Sequence, residues 1–305
     1  MEFQSQFIQI GNVQIRYYGI IIVTAMLVAT VIAARLAKKT GRDPEHVYGA
    51  LTWAIIPGII LARLWFVFFP SESLGVDRSY LLENFFNLEN GAIAIWSGGL
   101  SIFGAVLGGL LGTLVYLRRN KLPVAPWLDI AAVVLPLGQA IGRWANYVNQ
   151  ELYGKPVTGF LKDLGWGIDI PIESRDQAYR AIEYFAAKFH PLFLYESLWS
   201  FGAFLILFYL YNNHKDRFKV GDFFWIYVAQ YAFIRFFLEF LRIDVTLVGD
   251  INLSQLVTFV LFVVSIGMLA YRHRPGAPEY VEPVPVVPEE EKPTPAPAEA
   301  QPEGS

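Results

Sequence analysis

Three arginines lie inside long apolar stretches of this sequence, where a charged side chain is expensive to bury. Arg63, Arg143 and Arg235 each fall past the midpoint of a run of mostly apolar residues. Placing one arginine near the centre of a bilayer costs about 3 kcal/mol or more, so such residues are functional candidates. A guanidinium can bond two phosphate oxygens at once, and the three arginines therefore predict an anion site. The alternative for any one of them is a structural arginine paired with carbonyl groups.

Amide side chains accompany Arg143 in the run PLGQAIGRWANYVNQELYG, which begins at Pro136. Arg143, Asn146 and Gln150 recur at helical spacing, which predicts that they share one helix face. Asn149 lies on the flank of that face. Amide groups in a low-dielectric site hydrogen-bond strongly to ester carbonyls or hydroxyls. The run therefore indicates a polar ligand, and its alternative is a polar face that packs against a neighbouring loop.

The run RFFLEFLR places Arg235, Glu239 and Arg242 at helical spacing on one face. A structural ion pair between Arg235 and Glu239 explains this pattern as well as a binding site does. Buried cations repel one another, so the predicted anion site also needs negative charge nearby. The sequence offers Glu151, Glu196 and Glu239, and a lipid phosphate would serve the same purpose.

The elements that position these residues are apolar segments long enough to cross a membrane, which takes about 20 residues. Hydrophobic residues make up 54% of the chain and charged residues only 17%, fewer than in soluble domains. Seven segments qualify, at 18–37, 48–69, 92–117, 127–147, 192–212, 222–241 and 253–271. The sequence therefore predicts an all-α, polytopic membrane protein of about seven transmembrane helices.

Basic residues follow every second predicted span, and the positive-inside rule assigns such links to the cytoplasm. They are Lys38, Lys39, Arg42, Arg118, Arg119, Lys121, Lys215, Arg217, Lys219, Arg272 and Arg274. The N-terminus is then outside the cytoplasm and the C-terminus inside it. In this topology Arg63, Arg143 and Arg235 converge in the outer half of the bilayer.

The spans belong to a predicted transmembrane domain of residues 1–273. Within it, residues 148–191 are predicted to form a small external subdomain between two spans. Residues 274–305 are rich in proline and glutamate, which predicts a disordered cytoplasmic tail.

Glycines in and before the third span have two predicted roles. Gly104, Gly108 and Gly112 recur every four residues, which predicts close packing against a neighbouring helix. Gly98 and Gly99 lie nearer the outer side, where a glycine lets a ligand headgroup approach the backbone.

Composition excludes several classes of chemistry. The chain has no cysteine, which excludes disulfides, thiol nucleophiles and thiolate metal sites. Its four histidines have no zinc-binding spacing, so we expect neither a metal nor a cofactor. The net charge of −3 indicates no nucleic-acid partner.

Several of these runs resemble the bacterial prolipoprotein diacylglyceryl transferases. The run GRWANYVNQELYG, from Gly142 to Gly154, matches the family signature GRxGNxxNxExxG at all but one fixed position, and Asp129 precedes it as in the family. Further matches occur in family order and cover most of residues 12–245. They are RYYG, LARLWFV, WSGGLSIFGA (which begins at Trp96), LGWGI, FHPLFLYES and FIRFFLEFLR.

The resemblance implies an activity and a location. Family members transfer the diacylglyceryl group of phosphatidylglycerol to the lipobox cysteine of a preprolipoprotein signal peptide, and they release glycerol phosphate. The implied place is the bacterial cytoplasmic (inner) membrane, with the active site toward the outer leaflet and membrane lipids around it. Because the substrate brings the thiol, an enzyme without cysteine is compatible with this reaction.

The resemblance also implies roles for individual residues. Arg143 would hold the phosphate and stabilise the leaving group, Arg235 would be a second clamp, and Glu239 would orient Arg235. Glu151 would take part in catalysis or shape the headgroup pocket. The other residues implied to bind substrate are Asn146, Asn149, Tyr18, Gly98, Gly99 and Asp129.

This sequence departs from the family pattern at two positions. Phe103 stands where many members have a histidine that has been assigned as the base, and Ala145 replaces the second glycine of the signature. A free thiol is partly ionised at neutral pH, and general-base help contributes about 10²–10⁴-fold, so its loss need not abolish turnover. Glu151 could also replace the base. The alternatives are a lipid-binding member with impaired catalysis, or a lipid or anion transporter, although the internal repeats expected of a transporter are not evident.

Overall fold

A computed structural model describes most of the chain. The described residues are 7–10, 13–69, 78–88, 91–95, 98–181, 184, 186–243, 245, 247–248 and 250–278. The predicted tail lies outside them from residue 279 onward, as does Trp96 of the glycine-rich run.

Seven helices of the described chain are long and apolar enough to cross a membrane. They are α1 (Tyr17–Lys39), α2 (Glu45–Phe68), α4 (Ile102–Arg119), α5 (Val124–Val148), α7 (Leu192–Asn213), α8 (Asp222–Leu238, continued by a 3-10 turn at Glu239–Leu241) and α9 (Leu253–Arg272). A helix satisfies its own backbone hydrogen bonds, which a lipid environment requires. The predicted all-α, seven-span membrane fold is confirmed. Which side of the membrane the termini occupy stays a prediction.

Short elements connect these spans. Two antiparallel hairpins pair β1 (Phe7–Ile10) with β2 (Val13–Arg16), and β3 (Leu247–Val248) with β4 (Ile251–Asn252). The remaining elements are the short helices α3 (Arg78–Glu83) and α6 (Gly159–Asp163), and 3-10 turns at Ile172–Ser174, Gln177–Tyr179 and Lys215–Arg217. The segment 148–191 contains α6 and two of these turns, and its placement outside the cytoplasm stays a prediction.

Helix α5 is the centre of the bundle. It packs against α1, α7 and α8. Ile130 and Val133 of α5 are buried together with Leu36 of α1, Leu207 of α7 and Phe223 of α8. Burying one aliphatic side chain contributes about 1.5–3 kcal/mol in water, whereas inside lipid the same contacts act mainly through close packing. The position of any residue on α5 is therefore defined relative to three other helices.

The glycines of α4 form the predicted seam with α2. A Cβ atom added to Gly104, Gly108 or Gly112 would overlap a backbone carbonyl oxygen of α2. Only glycine allows the two backbones to approach this closely. The predicted close packing is confirmed, and α2 and α4 form a tightly packed pair.

Helix α4 begins at Ile102 and not near residue 92, where the apolar pattern placed the start of the third span. The described residues between 91 and 101 are not in an α-helix, and Gly98 and Gly99 have φ angles of +93° and +69°. Carbonyl groups of this segment turn toward the Arg63 side chain of α2 and accept its hydrogen bonds. The prediction was wrong because an apolar pattern does not distinguish a helix from a buried loop.

Asp129 lies near the N-terminal end of α5, whereas Arg143 lies near its C-terminal end. Its buried carboxylate accepts hydrogen bonds from the backbone N–H groups of Gly221 and Phe224, the latter at 3.0 Å, where α8 begins. Asp129 precedes Arg143 by about four helical turns, on the order of 20 Å. This corrects its predicted place among the substrate-binding residues, because both of its oxygens bond the start of α8.

Replacing Asp129 by asparagine tests this role. Asp129→Asn leaves one backbone N–H group of α8 without its acceptor, so the free energy of unfolding should fall by about 1–3 kcal/mol. We expect a lower melting temperature in detergent, measured by differential scanning fluorimetry. The matched control is Asp163→Asn in α6, where the carboxylate is exposed and the change should stay within about 0.5 kcal/mol. Equal melting temperatures for the two variants would contradict the assignment.

Candidate functional site

Arg143 projects from the last turns of α5 toward α7. Its Nη2 atom forms an ion pair with Oε2 of Glu196, which lies one turn into α7. Glu196 is only 5% exposed, whereas the Arg143 side chain is 21% exposed. A buried carboxylate requires a cation and hydrogen-bond donors around it, and Arg143 supplies both.

Arg235 of α8 binds the same carboxylate from the other side. Its Nη1 atom lies 3.4 Å from Oε1 of Glu196, and its Nη2 atom lies 3.2 Å from Oε2 of Glu239. The two oxygens of Glu196 therefore contact two different guanidinium groups. Arg143 and Arg235, which lie far apart in the sequence, are held next to each other by one carboxylate.

A third arginine completes this group. Nε of Arg242 lies 3.6 Å from Oε2 of Glu239, and the amide of Asn252 donates to Oε1 of the same carboxylate at 3.4 Å. These contacts bring three guanidinium groups together around two buried carboxylates. Guanidinium groups placed side by side in this way favour the binding of an anion. We call the group the arginine cluster; it consists of Arg143, Arg235, Arg242, Glu196 and Glu239.

Asn146 connects the cluster to Glu151. Nη1 of Arg143 lies 3.5 Å from Oδ1 of Asn146, whose Nδ2 donates to Oε1 of Glu151 at 2.9 Å. Glu151 is exposed, so the network passes from buried arginines to a carboxylate at the surface of the protein. Asn146 orients both ends of this connection.

The backbone after α5 makes that contact possible. Helix α5 ends at Val148, Asn149 caps it, and Gln150 and Leu152 have φ angles of +56° and +55°. This left-handed turn brings Glu151 back over the helix end. The side chain of Gln150 instead accepts a hydrogen bond from Ser174 at 3.0 Å. The prediction that Gln150 shares a helix face with Arg143 was therefore wrong, because the helix stops before it.

Tyr18 lies at the same end of the bundle. It is in the first turn of α1, partly buried, and it interacts electrostatically with Glu151 and Arg143. Its phenol can both donate and accept a hydrogen bond. The structure therefore brings Tyr18 together with Arg143, Asn146 and Glu151, residues that sequence reasoning assigned to one pocket.

Gly154 connects the segment before α7 with the segment after α8, and these two helices carry Glu196 and Arg235. Its N–H donates to the carbonyl of His190 before α7 at 2.9 Å, and the next N–H donates to Leu241 after α8 at 2.8 Å. A Cβ atom on Gly154 would lie 2.9 Å from both the Leu241 carbonyl oxygen and the His190 Cβ atom. Glycine is required because the backbone at Gly154 meets those at His190 and Leu241 here. Arg242 also pairs with Gly154 in a β-bridge.

Burial shifts the titration of two groups beside this junction. It lowers the pKa of His190, whose Nδ1 atom lies 3.1 Å from the Tyr195 hydroxyl, so the ring is neutral at pH 7. It raises the pKa of Tyr153, whose hydroxyl contacts Ser174 and Asp176. Both side chains are therefore uncharged at neutral pH.

Arg63 is not part of the arginine cluster as the structure describes it. It is 5% exposed and donates to the carbonyls of Ala92, Gly91 and Gly99 at 2.7, 2.7 and 3.0 Å, and to that of Gly98. This corrects the prediction that three arginines converge on one site. Gly98 and Gly99 serve to wrap the loop around Arg63, which differs from their predicted role beside a ligand headgroup.

Phe103 lies near the start of α4. Its side chain is 63% exposed, and its ring lies 5.9 Å from that of Trp65. At the position where the resemblance implied a histidine base, this chain has an outward-facing aromatic group on the α2–α4 pair.

Glu196 has a larger structural role than the sequence indicated. In the sequence it is one of several carboxylates that could neutralise the arginines, whereas in the structure it bridges two of them. The available signal was its isolation, since Glu196 is the only charged residue in the sequence of α7. An acidic residue in an apolar span is a functional candidate for the same reason as an arginine there.

Comparison with known proteins agrees with this geometry. The sequence profile of the family described as "Prolipoprotein diacylglyceryl transferase" matches residues 5–271. The chain belongs to the prolipoprotein diacylglyceryl transferase family. In this transferase family member, the signature run from Gly142 to Gly154 supplies Arg143, Asn146, Glu151 and the glycine that joins three segments.

Relatives named phosphatidylglycerol–prolipoprotein diacylglyceryl transferase match nearly the whole length. One from Pediococcus pentosaceus is 36% identical over 90% of this chain and 92% of its own. Another from Trichormus variabilis is 34% identical over 88% and 90%, respectively. One from Listeria innocua is 35% identical over 90% and 92%.

Arg63 is held by backbone carbonyls and Arg143 by a carboxylate, and the free energy of unfolding of lysine variants tests this difference. Arg63→Lys keeps the charge but cannot reproduce the planar fork that reaches several carbonyls, so the free energy of unfolding should fall by about 3 kcal/mol. The matched variant Arg143→Lys keeps a cation beside Glu196 at a partly exposed site, and should lose only about 1 kcal/mol. Melting temperatures of the two purified variants measure this difference. Equal losses would show that Arg63 has no special structural role.

Proposed function

We propose that this protein transfers the diacylglyceryl group of phosphatidylglycerol to the cysteine thiol of a preprolipoprotein. The observation that supports it is the pair of arginines held together by Glu196 inside a seven-span membrane fold. Relatives with the corresponding name match about nine-tenths of the chain. The paired guanidinium groups of Arg143 and Arg235 suit a phospholipid phosphate.

The proposed reaction is a displacement at carbon. The substrate sulfur forms a bond to the terminal glyceryl carbon of the diacylglycerol, and the bond from that carbon to the phosphate oxygen breaks. The thiol proton leaves to a base or to water, and glycerol phosphate departs with the electron pair. Negative charge develops on the departing phosphate, where Arg143 and Arg235 would stabilise it in a low-dielectric site.

The other site residues would orient these two arginines and the headgroup. Asn146 contacts Arg143 and Glu151, and Glu239 contacts Arg235. In the proposed site these contacts hold each guanidinium in place before the substrate arrives, which reduces the reorganisation needed in the transition state. Asn149 and Tyr18, which flank this network, would contact the glycerol headgroup.

The position of the cluster supports a site toward the outer leaflet of a bacterial cytoplasmic membrane. Arg118 and Arg119 end α4 just before α5 begins, and the cluster lies at the other end of α5. Helix α1 likewise has Tyr18, which lies beside the cluster, in its first turn, and it ends at Lys39. The positive-inside rule assigns basic links to the cytoplasm, so the cluster would face the opposite side. A secreted preprolipoprotein would present its lipobox cysteine there.

The thiol would come from the signal peptide of the substrate. A cysteine of ordinary pKa, about 8.5, is a few per cent thiolate at neutral pH, and nearby guanidinium groups increase that fraction. Glu151, exposed at the end of the Asn146 connection, is the carboxylate we propose to accept the proton. Such a role would compensate for phenylalanine at position 103.

Complementation tests the proposed function directly. Expression in bacteria depleted of their own diacylglyceryl transferase should restore growth and lipoprotein lipidation, and Arg143→Ala should abolish the rescue. The purified protein should convert phosphatidylglycerol and a lipobox peptide to lipidated peptide and glycerol phosphate. A folded wild-type protein that binds the lipid but yields neither product would establish a non-catalytic member, and lipid movement without glycerol phosphate would establish a transporter.

Phe103→His tests whether this family member has lost a useful base. The position is exposed, so the substitution should leave the melting temperature unchanged. We expect an activity equal to the wild type or higher, and the gain should not exceed the factor of about 10²–10⁴ that general-base help contributes. The initial rate of peptide lipidation measures it, and Phe103→Ala is the control for simple removal of the ring. Complete loss of activity in a folded Phe103→His variant would show that the phenylalanine has a steric function.

A further inference from the structure

The carboxylate of Glu196 occupies the position that a phosphate clamped by both arginines would need. One of its oxygens contacts Nη2 of Arg143 and the other lies 3.4 Å from Nη1 of Arg235. A phosphodiester has two non-bridging oxygens that share one negative charge, so it can bridge two guanidinium groups in the same way. Glu196 and a lipid phosphate are therefore chemically similar ligands for one place.

The other terminal nitrogen of each arginine has a partner of its own. Nη1 of Arg143 lies toward Asn146 at 3.5 Å, and Nη2 of Arg235 lies toward Glu239 at 3.2 Å. Glu196 contacts the remaining terminal nitrogens, Nη2 of Arg143 and Nη1 of Arg235. An anion that bridges the two arginines through these donors therefore shares them with Glu196 or displaces it.

We propose that Glu196 is an exchangeable internal anion of the phosphate site, an inference that rests on the proposed function. In the empty enzyme it pairs with Arg143 and Arg235, whose burial without an anion would be costly. Binding of phosphatidylglycerol displaces the carboxylate from at least one arginine. A change of side-chain rotamer is sufficient for this exchange, so α7 need not move.

The exchange matters most when the product leaves. Cleavage converts a phosphodiester with one negative charge into glycerol phosphate, a monoester with up to two, which two arginines bind more tightly. An internal competitor weakens the apparent affinity by the fraction of time that it leaves the site open. If Glu196 holds the arginines about nine-tenths of the time, apparent affinity for the product falls about tenfold. Glu196 thereby promotes the release of glycerol phosphate after each turnover.

The test compares the wild type with Glu196→Gln, which has nearly the same shape but no charge. Steady-state lipidation of a lipobox peptide in nanodiscs gives kcat and the KM for phosphatidylglycerol, and added glycerol 1-phosphate gives the inhibition constant Ki. We expect Glu196→Gln to lower Ki about tenfold and to lower KM. Its kcat should fall, and a pre-steady-state burst of lipidated peptide should appear because product release becomes limiting. Inorganic phosphate, as a third ligand, separates recognition of phosphate from recognition of glycerol.

A purely structural role for Glu196 predicts the opposite pattern. If the carboxylate only holds the arginines in position, Glu196→Gln should raise both Ki and KM without a burst, and this outcome overturns the proposal. The matched control is Glu239→Gln, which removes the same charge from the same cluster but at the residue that contacts the other terminal nitrogen of Arg235. Because Glu239 orients Arg235 rather than competing with the ligand, this variant should raise Ki.

A second variant covers the case in which Glu196→Gln does not fold. Glu196→Asp keeps the charge but shortens the side chain, so it pairs less well and should give a Ki below that of the wild type; an equal or higher Ki overturns the proposal. An inactive, folded wild type would defeat the proposed function itself. An active wild type with a raised Ki in the Glu196 variants defeats only the exchange.

Discussion

Buried guanidinium groups in a membrane protein need partners from within the protein, and this requirement organises the structure. Arg143 and Arg235 both contact Glu196, so three helices, α5, α7 and α8, are connected by one carboxylate. Glu239 extends the connection from Arg235 to Arg242. Removing either partner of such a pair leaves an uncompensated charge in a low-dielectric environment, which is strongly destabilising. The same pairing that stabilises the bundle also places guanidinium groups from α5 and α8 next to each other.

The backbone around the cluster explains how its members meet. Helix α5 is fixed by packing on α1, α7 and α8, and it ends where a left-handed residue, Gln150, reverses the chain. Glu151 then returns to Asn146, and Gly154 passes between the start of α7 and the end of α8. Each of these steps depends on the previous one. The run from Gly142 to Gly154 thus combines the candidate site residues with the turn and the glycine that position them.

Identical side chains have different roles in this protein because their surroundings differ. Arg63 donates to backbone carbonyls of the loop before α4, so its charge stabilises that loop. Arg143 contacts a carboxylate and is partly exposed. Carbonyl groups are dipoles that remain in place, whereas a carboxylate on a side chain can rotate away. This difference is the physical basis of our proposals that Arg143 binds the lipid phosphate and that its partner Glu196 is exchangeable.

The sequence by itself determined the seven spans and the glycine seam of α4, because apolar length and glycine spacing are local properties with a direct physical meaning in lipid. It also indicated Arg143 and Arg235 as candidate anion-binding residues, since a charge inside an apolar segment is costly to bury. Only the tertiary structure decided that Glu196 joins these two arginines while Arg63 is held elsewhere, and that Asp129 bonds the start of α8. Ion pairs between distant segments depend on how helices rotate and pack against one another, and no spacing along one helix encodes that.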